Sequence, residues 1–216
     1  TFYANSSLYS SDLQRALVKE MKNSKKDDQR IDWRVNEQDN TPMYQNFKGL
    51  SLYSSIFHHN ILDFYYDALK INLAEESLSR YQSTNARQNI DSLFSIKYVM
   101  LKKYQNNIPT YFKKVKSSGQ YNIYENQLNL PSVKVTNNLY NSQSLKTPID
   151  REHAMLKGAI VDSNGKDFNS QSKNLLKHAR ITTKNIKSKG NNQLEVKNNI
   201  GTVNIHIPKK IRKQYQ

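Results

Sequence analysis

The sequence predicts an α+β fold, with a mixed sheet and helices over residues 1–138. A basic, β-rich part follows over 139–216, where truncation or partial disorder fits the polar excess. Three observations carry this. Apolar residues recur at helical spacing twice in the first seventy residues, strand-like alternation interrupts them, and only short alternating pieces occur towards the end. No internal repeat, heptad or long low-complexity tract competes with that reading.

The elements follow in order. Residues 11–22 form an amphipathic helix, with Leu13, Ala16, Leu17 and Met21 on one stripe and Ser11 or Asp12 as N-cap. In Arg30 to Asn36 the apolar Ile31, Trp33 and Val35 alternate with Asp32 and Arg34, the pattern of a half-buried strand. Beyond Thr41-Pro42, residues 56–71 place Ile56, Phe57, Ile61, Phe64, Tyr65 and Leu69 on the core face of a helix. Asn89 to Leu93 reads as a last helical turn and Ile96 to Leu101 as a buried strand. Phe112 to Val115 and Tyr121 to Tyr124 flank Ser117-Ser118-Gly119-Gln120, a hairpin whose glycine supplies the turn. Ser132 to Thr136 is a further strand. Residues 140–173 are rich in Asn, Ser and Lys around one apolar island, Met155 to Val161. Ala179 to Thr183, Leu194 to Val196 and Val203 to Ile207 are antiparallel strands.

At 216 residues the chain can bury a real core, although only 36% of it is hydrophobic and its mean hydropathy is −0.84. Its 14 Tyr, 7 Phe and 1 Trp argue against disorder throughout. The longest apolar run, Leu93 to Leu101, is broken by Lys97 and is far short of the roughly 18 residues a membrane span needs. The chain starts at Thr1 with no signal-peptide pattern, which reads as a segment of a longer protein. With no cysteine there is no disulfide scaffold, thiolate metal site or cysteine nucleophile. A composition of 26 Asn and 25 Lys against 8 Arg fits the coding bias of an A+T-rich bacterium.

Charge is one-sided. Residues 1–108 hold 14 basic and 12 acidic side chains, a balance of +2, whereas residues 109–216 hold 19 and 6, a balance of +13. Such a field attracts polyanions: nucleic acid, anionic lipid or cell-wall polymer. Solvated lysines need no partner, so simple solubility is the plainer explanation of equal weight. Arginine, which reads bases and phosphates bidentately, is scarce, which disfavours nucleic acid as the partner.

Catalytic signatures are lacking. His58 and His59 are adjacent, so on a helix they diverge by about 100° and cannot share a metal at i, i+4; capping or surface roles fit them better. The carboxylate pairs Asp27-Asp28 and Glu75-Glu76 stand in polar surroundings that give no reason to expect a displaced pKa. Six glycines leave little room for a phosphate loop, and no nucleophile elbow or zincin helix occurs. No cofactor, metal site or catalytic residue is expected within the chain.

Four stretches occur in the order of a known family. Ile31-Asp32-Trp33-Arg34-Val35 resembles the strand with a central arginine that opens the outer domain of YfhO-family proteins. The run from Gly49 through Ser51 and Tyr53 to Ser54-Ser55 resembles that family's Gly-x-Ser-x-Tyr-Ser-Ser segment. Leu93-Phe94-Ser95-Ile96-Lys97-Tyr98 is similar to its Leu-x-Gly-Val-Lys-Tyr element, with Ser95 where glycine is more usual. Tyr121 to Asn126 is similar to its Tyr-x-x-Tyr-Glu-Asn strand, here followed by Leu130-Pro131. The resemblance spans roughly residues 30–136.

It implies an extracellular domain of a many-spanning Gram-positive membrane protein, resembling glycosyltransferases that use lipid-linked sugars and decorate teichoic acids. The catalytic carboxylates of such enzymes lie near their first membrane helices, so the expected role here is non-catalytic: holding or positioning an anionic cell-wall acceptor or a lipid-linked sugar, next to the membrane through flanking helices. The binding residues expected on this basis are Arg34, Tyr53, Ser54, Ser55 and Asn126, with Lys113, Lys114 and Lys116 for the polyanion. Turn and cap chemistry equally explains Tyr53, Ser54, Ser55 and Asn126, and pairing with a carboxylate explains Arg34. The alternative function is a soluble polyanion- or nucleic-acid-binding protein built on the basic C-terminal half, and a third is an ectodomain docked on anionic lipid.

Overall fold

The computed structural model describes residues 11–35, 39–54, 56–71, 84 and 86–168, and the backbone of strands 80–81, 183–188, 193–198 and 202–206. The fold is α+β. At its centre a four-stranded sheet is built from β1 (Arg30–Trp33), β4 (Ile96–Lys102), β6 (Tyr121–Asn126) and β5 (Phe112–Ser118), in that order. β1 runs parallel to β4, pairing Ile31 with Tyr98 and Trp33 with Met100, while β4–β6 and β6–β5 are antiparallel. Small ladders join β2 (Leu52–Tyr53) to β3 (Arg80–Tyr81) and β7 (Leu139–Asn141) to β8 (Ala159–Val161).

Helix α1 (Asp12–Ser24) covers one face of the sheet. Ser11 caps it in a reciprocal capping box with Gln14. The predicted stripe is rotated, however. Leu13 and Ala16 are exposed, and the buried positions are Gln14, Leu17, Val18 and Met21. A polar residue goes inside because its Nε2 donates to the Tyr121 hydroxyl at 2.7 Å, so neither group is buried unpaired. Leu17, Val18 and Met21 close on Ile31, Trp33, Phe47, Met100, Tyr121 and Ile123.

β1 is shorter than predicted and buried on both sides, with Asp32 wholly enclosed, so it is not a half-buried strand. Its backbone is extended outward by the Ile31 N–H, which donates to the Lys48 carbonyl. That approach explains Gly49 in the recognised motif: a Cβ there would overlap the Pro42 ring, reaching within 2.7 Å of its Cβ. The glycine-like position of the third motif also finds its reason. Ser95 has φ +58°, the left-handed region, just before β4 begins.

The helix predicted over 56–71 is shorter and irregular. α3 (His59–Leu62) passes into a π-helical turn over Asp63–Ala68, closed by the Leu69 N–H on the Phe64 carbonyl at 2.9 Å. Tyr65, Leu69 and Ile71 reach the core with Ile90 of α4 (Gln88–Leu93), but Ile56 is 86% exposed and is no part of it. α2 (Thr41–Tyr44) precedes β2. The β5–β6 hairpin turns at Gly119, φ +55°, under the Leu13 side chain. Ser132 to Thr136 forms no strand; the Ser132 N–H and hydroxyl are taken by Asp28 instead.

The apolar island at 155–161 is divided by Gly158 between α5 (Pro148–Lys157) and β8, giving β7–α5–β8 with its two strands parallel. Thr147 and Asp150 form the capping box of α5, and Pro148 occupies its first turn. α5 packs across position 138 onto the earlier residues, Leu156 against Leu93, Leu128 and Leu130. β9 (Thr183–Ser188), β10 (Gln193–Asn198) and β11 (Thr202–His206) form an antiparallel meander in which Leu194 registers with Ile205 and Val196 with Val203 and Ile186. The first of these strands starts where Ala179 to Thr183 was expected to end; residues 179–182 and Ile207 lie outside the described residues.

Candidate functional site

The residues singled out by the sequence separate into an enclosed charge cluster, a lysine-bearing sheet edge and a small surface ladder. The cluster lies on the sheet face away from α1. Two-residue alternation on β1 sends Ile31 and Trp33 towards α1 and the intervening Asp32 to the other side. There Arg34 Nε donates to Asp32 Oδ2 at 2.6 Å, and Arg34 Nη2 stands 3.8 Å from Asp91 Oδ2. Asp91, on α4, also accepts from the Thr84 and Tyr111 hydroxyls. The guanidinium sits 5.8 Å from the centroid of Phe112, and the Arg34 carbonyl receives Gln105 Nε2 at 2.8 Å. Arg34 is thus fixed at backbone and side chain alike.

Electrostatics follow from enclosure. Asp32 and Asp91 side chains have no exposed surface, against 16% for Arg34. Burial pushes the Asp32 carboxyl up, only partly opposed by Arg34. Burial likewise raises Asp91, against the pull of Arg34 and the two hydroxyls. Burial works against the Arg34 charge, but Asp32 and then Asp91 outweigh it and hold the guanidinium protonated. Burial beside the Asp91 carboxylate raises the Tyr111 phenol, so it stays a donor. Asp32 Oδ1 and Arg34 Nη2 have no hydrogen-bond partner among the described residues. Two carboxylates share one cation, and of these three charged groups only the arginine has surface that a ligand from solvent could touch.

Asn126 belongs to the same face. It registers opposite Phe112, is fully buried, and its Oδ1 accepts the Leu128 N–H at 2.9 Å, the turn chemistry weighed for it. Lys113, Lys114 and Lys116 lie beyond it on edge strand β5, where the register breaks around Val115. Lysines and a bulge on an unpaired edge oppose pairing with another strand. Lys113 and Lys114 are exposed, while Lys116 pairs with Glu20 of α1. Tyr53 is 49% exposed, with its N–H and carbonyl both held by the Asn40 amide. The Ser54 hydroxyl closes a turn on Ile56, and Ser55 lies outside the described residues. Arg34 and Asn126 share one sheet face, each beside Phe112, without a contact between them among those described; the lysines occupy the rim and Tyr53–Ser54 a separate ladder.

Sequence reasoning missed the buried acids. Asp32 passes for a solvent-facing position in an alternating strand, and Asp91 for a helix-end residue. Asp28, one of the pair placed in polar surroundings, is also buried, accepting from Ser132, while Asp27 is exposed and Glu75-Glu76 fall outside the described residues. A second ion pair, Arg87 with Glu152, fastens α4 to α5, with Asn89 Nδ2 also on Glu152 at 3.0 Å. His58 Nδ1 caps α3 by accepting the Asn60 N–H, the capping role expected of it, and stacks on His59 at 4.6 Å. Among the described residues no group of three metal-ligating side chains gathers, and no helix is long and apolar enough to cross a membrane.

The model of the family described as bacterial membrane protein YfhO matches residues 1–216. The uncharacterized protein YfhO of Bacillus subtilis (strain 168) is 40% identical over 160 residues, which are 72% of this chain and 19% of that protein. The chain therefore spans about a fifth of its relative's length. No solved structure matches it.

Proposed function

The chain belongs to the YfhO family of bacterial membrane proteins, and on that footing we propose that it is an extracellular, non-catalytic domain that holds an anionic cell-wall acceptor for glycosylation by the membrane-embedded remainder. One observation carries the polymer part of this reading: the uneven charge. Of the +13 on residues 109–216, residues 169–216 supply 11 basic side chains against the single acid Glu195. Lysine predominates, so the attraction is diffuse and long-range, suited to a repeating phosphate polymer and poorly suited to base readout. Lys113 and Lys114 add positive charge of their own on the exposed sheet edge.

We place catalysis elsewhere in the protein, since Asp32 and Asp91 have no exposed side-chain surface with which to meet a substrate. The test is affinity for polyglycerol-phosphate teichoic acid measured against salt, together with glycosylation by the full protein lacking these residues. Binding that weakens at least tenfold between about 50 and 500 mM salt, with glycosylation lost on removal, is expected. Salt-insensitive or absent binding with glycosylation intact would overturn the reading. Co-sedimentation with anionic but not neutral liposomes, without polymer binding, would instead favour docking on lipid headgroups.

A further inference from the structure

Between α1 and the turn after α2 lies an open cleft of about 450 Å³. Three cations line it at helical spacing: Arg15, Lys19 and Lys22 stand at i, i+4 and i+7 on one stripe of α1. Among the described residues no acid lines the cleft: Glu20 pairs with Lys116, and Asp12, outside the lining, pairs with Arg15. Lys22 Nζ donates to the Asn46 carbonyl at 2.8 Å, which fixes the opposite wall. The Lys19 side chain has no hydrogen-bond or ion-pair partner among the described residues.

That opposite wall, formed by Tyr44, Gln45 and Asn46, is neutral. Tyr44 leaves 72% of its surface in water, so its ring is open to a ligand in the cleft. Next to it Asn46 takes φ +52°, the left-handed region that asparagine tolerates better than most residues. Gln45 and Asn46 on this wall present amides that can both donate to and accept from hydroxyls. Cations on one side with a ring and amides on the other are the complement of a molecule that is anionic at one end and hydroxylated at the other. A nucleotide would look for a second stacking face or an apolar slot for its base, and the walls named here provide one ring.

We propose that this cleft binds a phosphate ester of a polyol or sugar, the phosphate on Lys19 and Arg15 and the carbon skeleton against Tyr44. As the seat of one repeat of the acceptor it rests on the polymer reading above; as a site for the monomer it does not. The experiment titrates the 216-residue chain with glycerol 3-phosphate, inorganic phosphate, glycerol and AMP, following amide chemical shifts. Glycerol 3-phosphate is expected to saturate with shifts at residues 15–22 and 44–46, inorganic phosphate to bind about tenfold more weakly, and glycerol not to bind. Lys19→Glu, an exposed change that keeps the fold, should weaken glycerol 3-phosphate at least tenfold. Tyr44→Ala should weaken the ester while leaving inorganic phosphate unchanged. Equal binding of inorganic phosphate, preference for AMP, or affinities unchanged in both variants would overturn the proposal. If teichoic acid binds the wild-type chain while both variants leave ester binding intact, the cleft fails and the polymer reading stands. If the polymer does not bind but the ester does so in a Lys19-dependent way, the polymer reading fails and the cleft stands.

Discussion

On the α1 side of the central sheet, Trp33, Met100, Tyr121 and Ile123 pack under Leu17, Val18 and Met21, and the buried Gln14 and Tyr121 satisfy each other. On the other side the same strand presents Asp32 and Arg34 to Asp91, Thr84, Tyr111 and Phe112. Both faces exclude water, by opposite means. The first draws its stability from apolar area and asks nothing of pH. The second draws it from charge pairing, and desolvation of the ions consumes much of what the pairing returns. What this teaches is that the motif Ile31-Asp32-Trp33-Arg34-Val35 carries a core in both of its alternating registers.

Truncating one partner on each face separates these mechanisms most strongly. Arg34→Met should cost about 3–5 kcal/mol at pH 7, since it strands two buried carboxylates without a counter-charge. Trp33→Ala should cost a similar ~3–5 kcal/mol through the cavity it leaves. Urea unfolding at pH 7 and at pH 4.5 tells them apart: the Arg34→Met deficit should shrink on acidification as the acids take up protons, and the Trp33→Ala deficit should not. Equal deficits at both pH values would mean that Arg34 acts as packing and not as a counter-ion.

The wild-type chain gives a smaller, directional effect. Asp32 and Asp91 titrate above the ordinary carboxylate range when folded, so the native state holds their protons more tightly than the unfolded chain does. Their contribution to stability is complete below the ordinary carboxylate pKa and is lost as pH rises through the raised values. Asp91→Asn should flatten that part of the stability–pH curve; an unchanged curve would remove Asp91 from the titrating set.

Two backbone positions sharpen the comparison at the sheet's margins. Gly49→Ala should lose about 1–3 kcal/mol, because the added methyl must displace the Pro42 ring beside β1. Ser95 gives the smallest effect and a choice of sign. Its hydroxyl donates to the Leu130 carbonyl, while its left-handed backbone would suit glycine. Ser95→Ala should therefore lose about 1–2 kcal/mol, and Ser95→Gly only about half of that or less, since relief of strain offsets the lost bond. A loss on Ser95→Gly as large as on Ser95→Ala would show that the backbone there is not strained.

The legible parts of the site were those fixed by local chemistry. Ser11 as a cap, Gly119 as a turn, His58 as a cap and Asn126 as a turn residue each act within a few positions of themselves, whereas the glycine-like position of Ser95 was visible only through the family resemblance. The capping box Thr147–Asp150 with Pro148 was equally local; the signal for α5 was there, hidden by the polar residues around it. Alternation misled at Asp32 for a different reason. A polar residue every second position marks a solvent face only if nothing is laid over that face.

Sequence alone determined the α+β class, the family, the strand and hairpin at the centre, and a charge excess concentrated in the second half. These depend on periodicity, turn residues and composition, which each residue carries with it. Tertiary structure decided which face of α1 goes inside, that Arg34 closes on Asp32 and Asp91 some sixty residues apart, and that Leu156 and Glu152 seal α5 onto α4. Burial and ion pairing between distant segments depend on what the chain brings alongside, and that is a property of the assembled fold, not of any stretch within it.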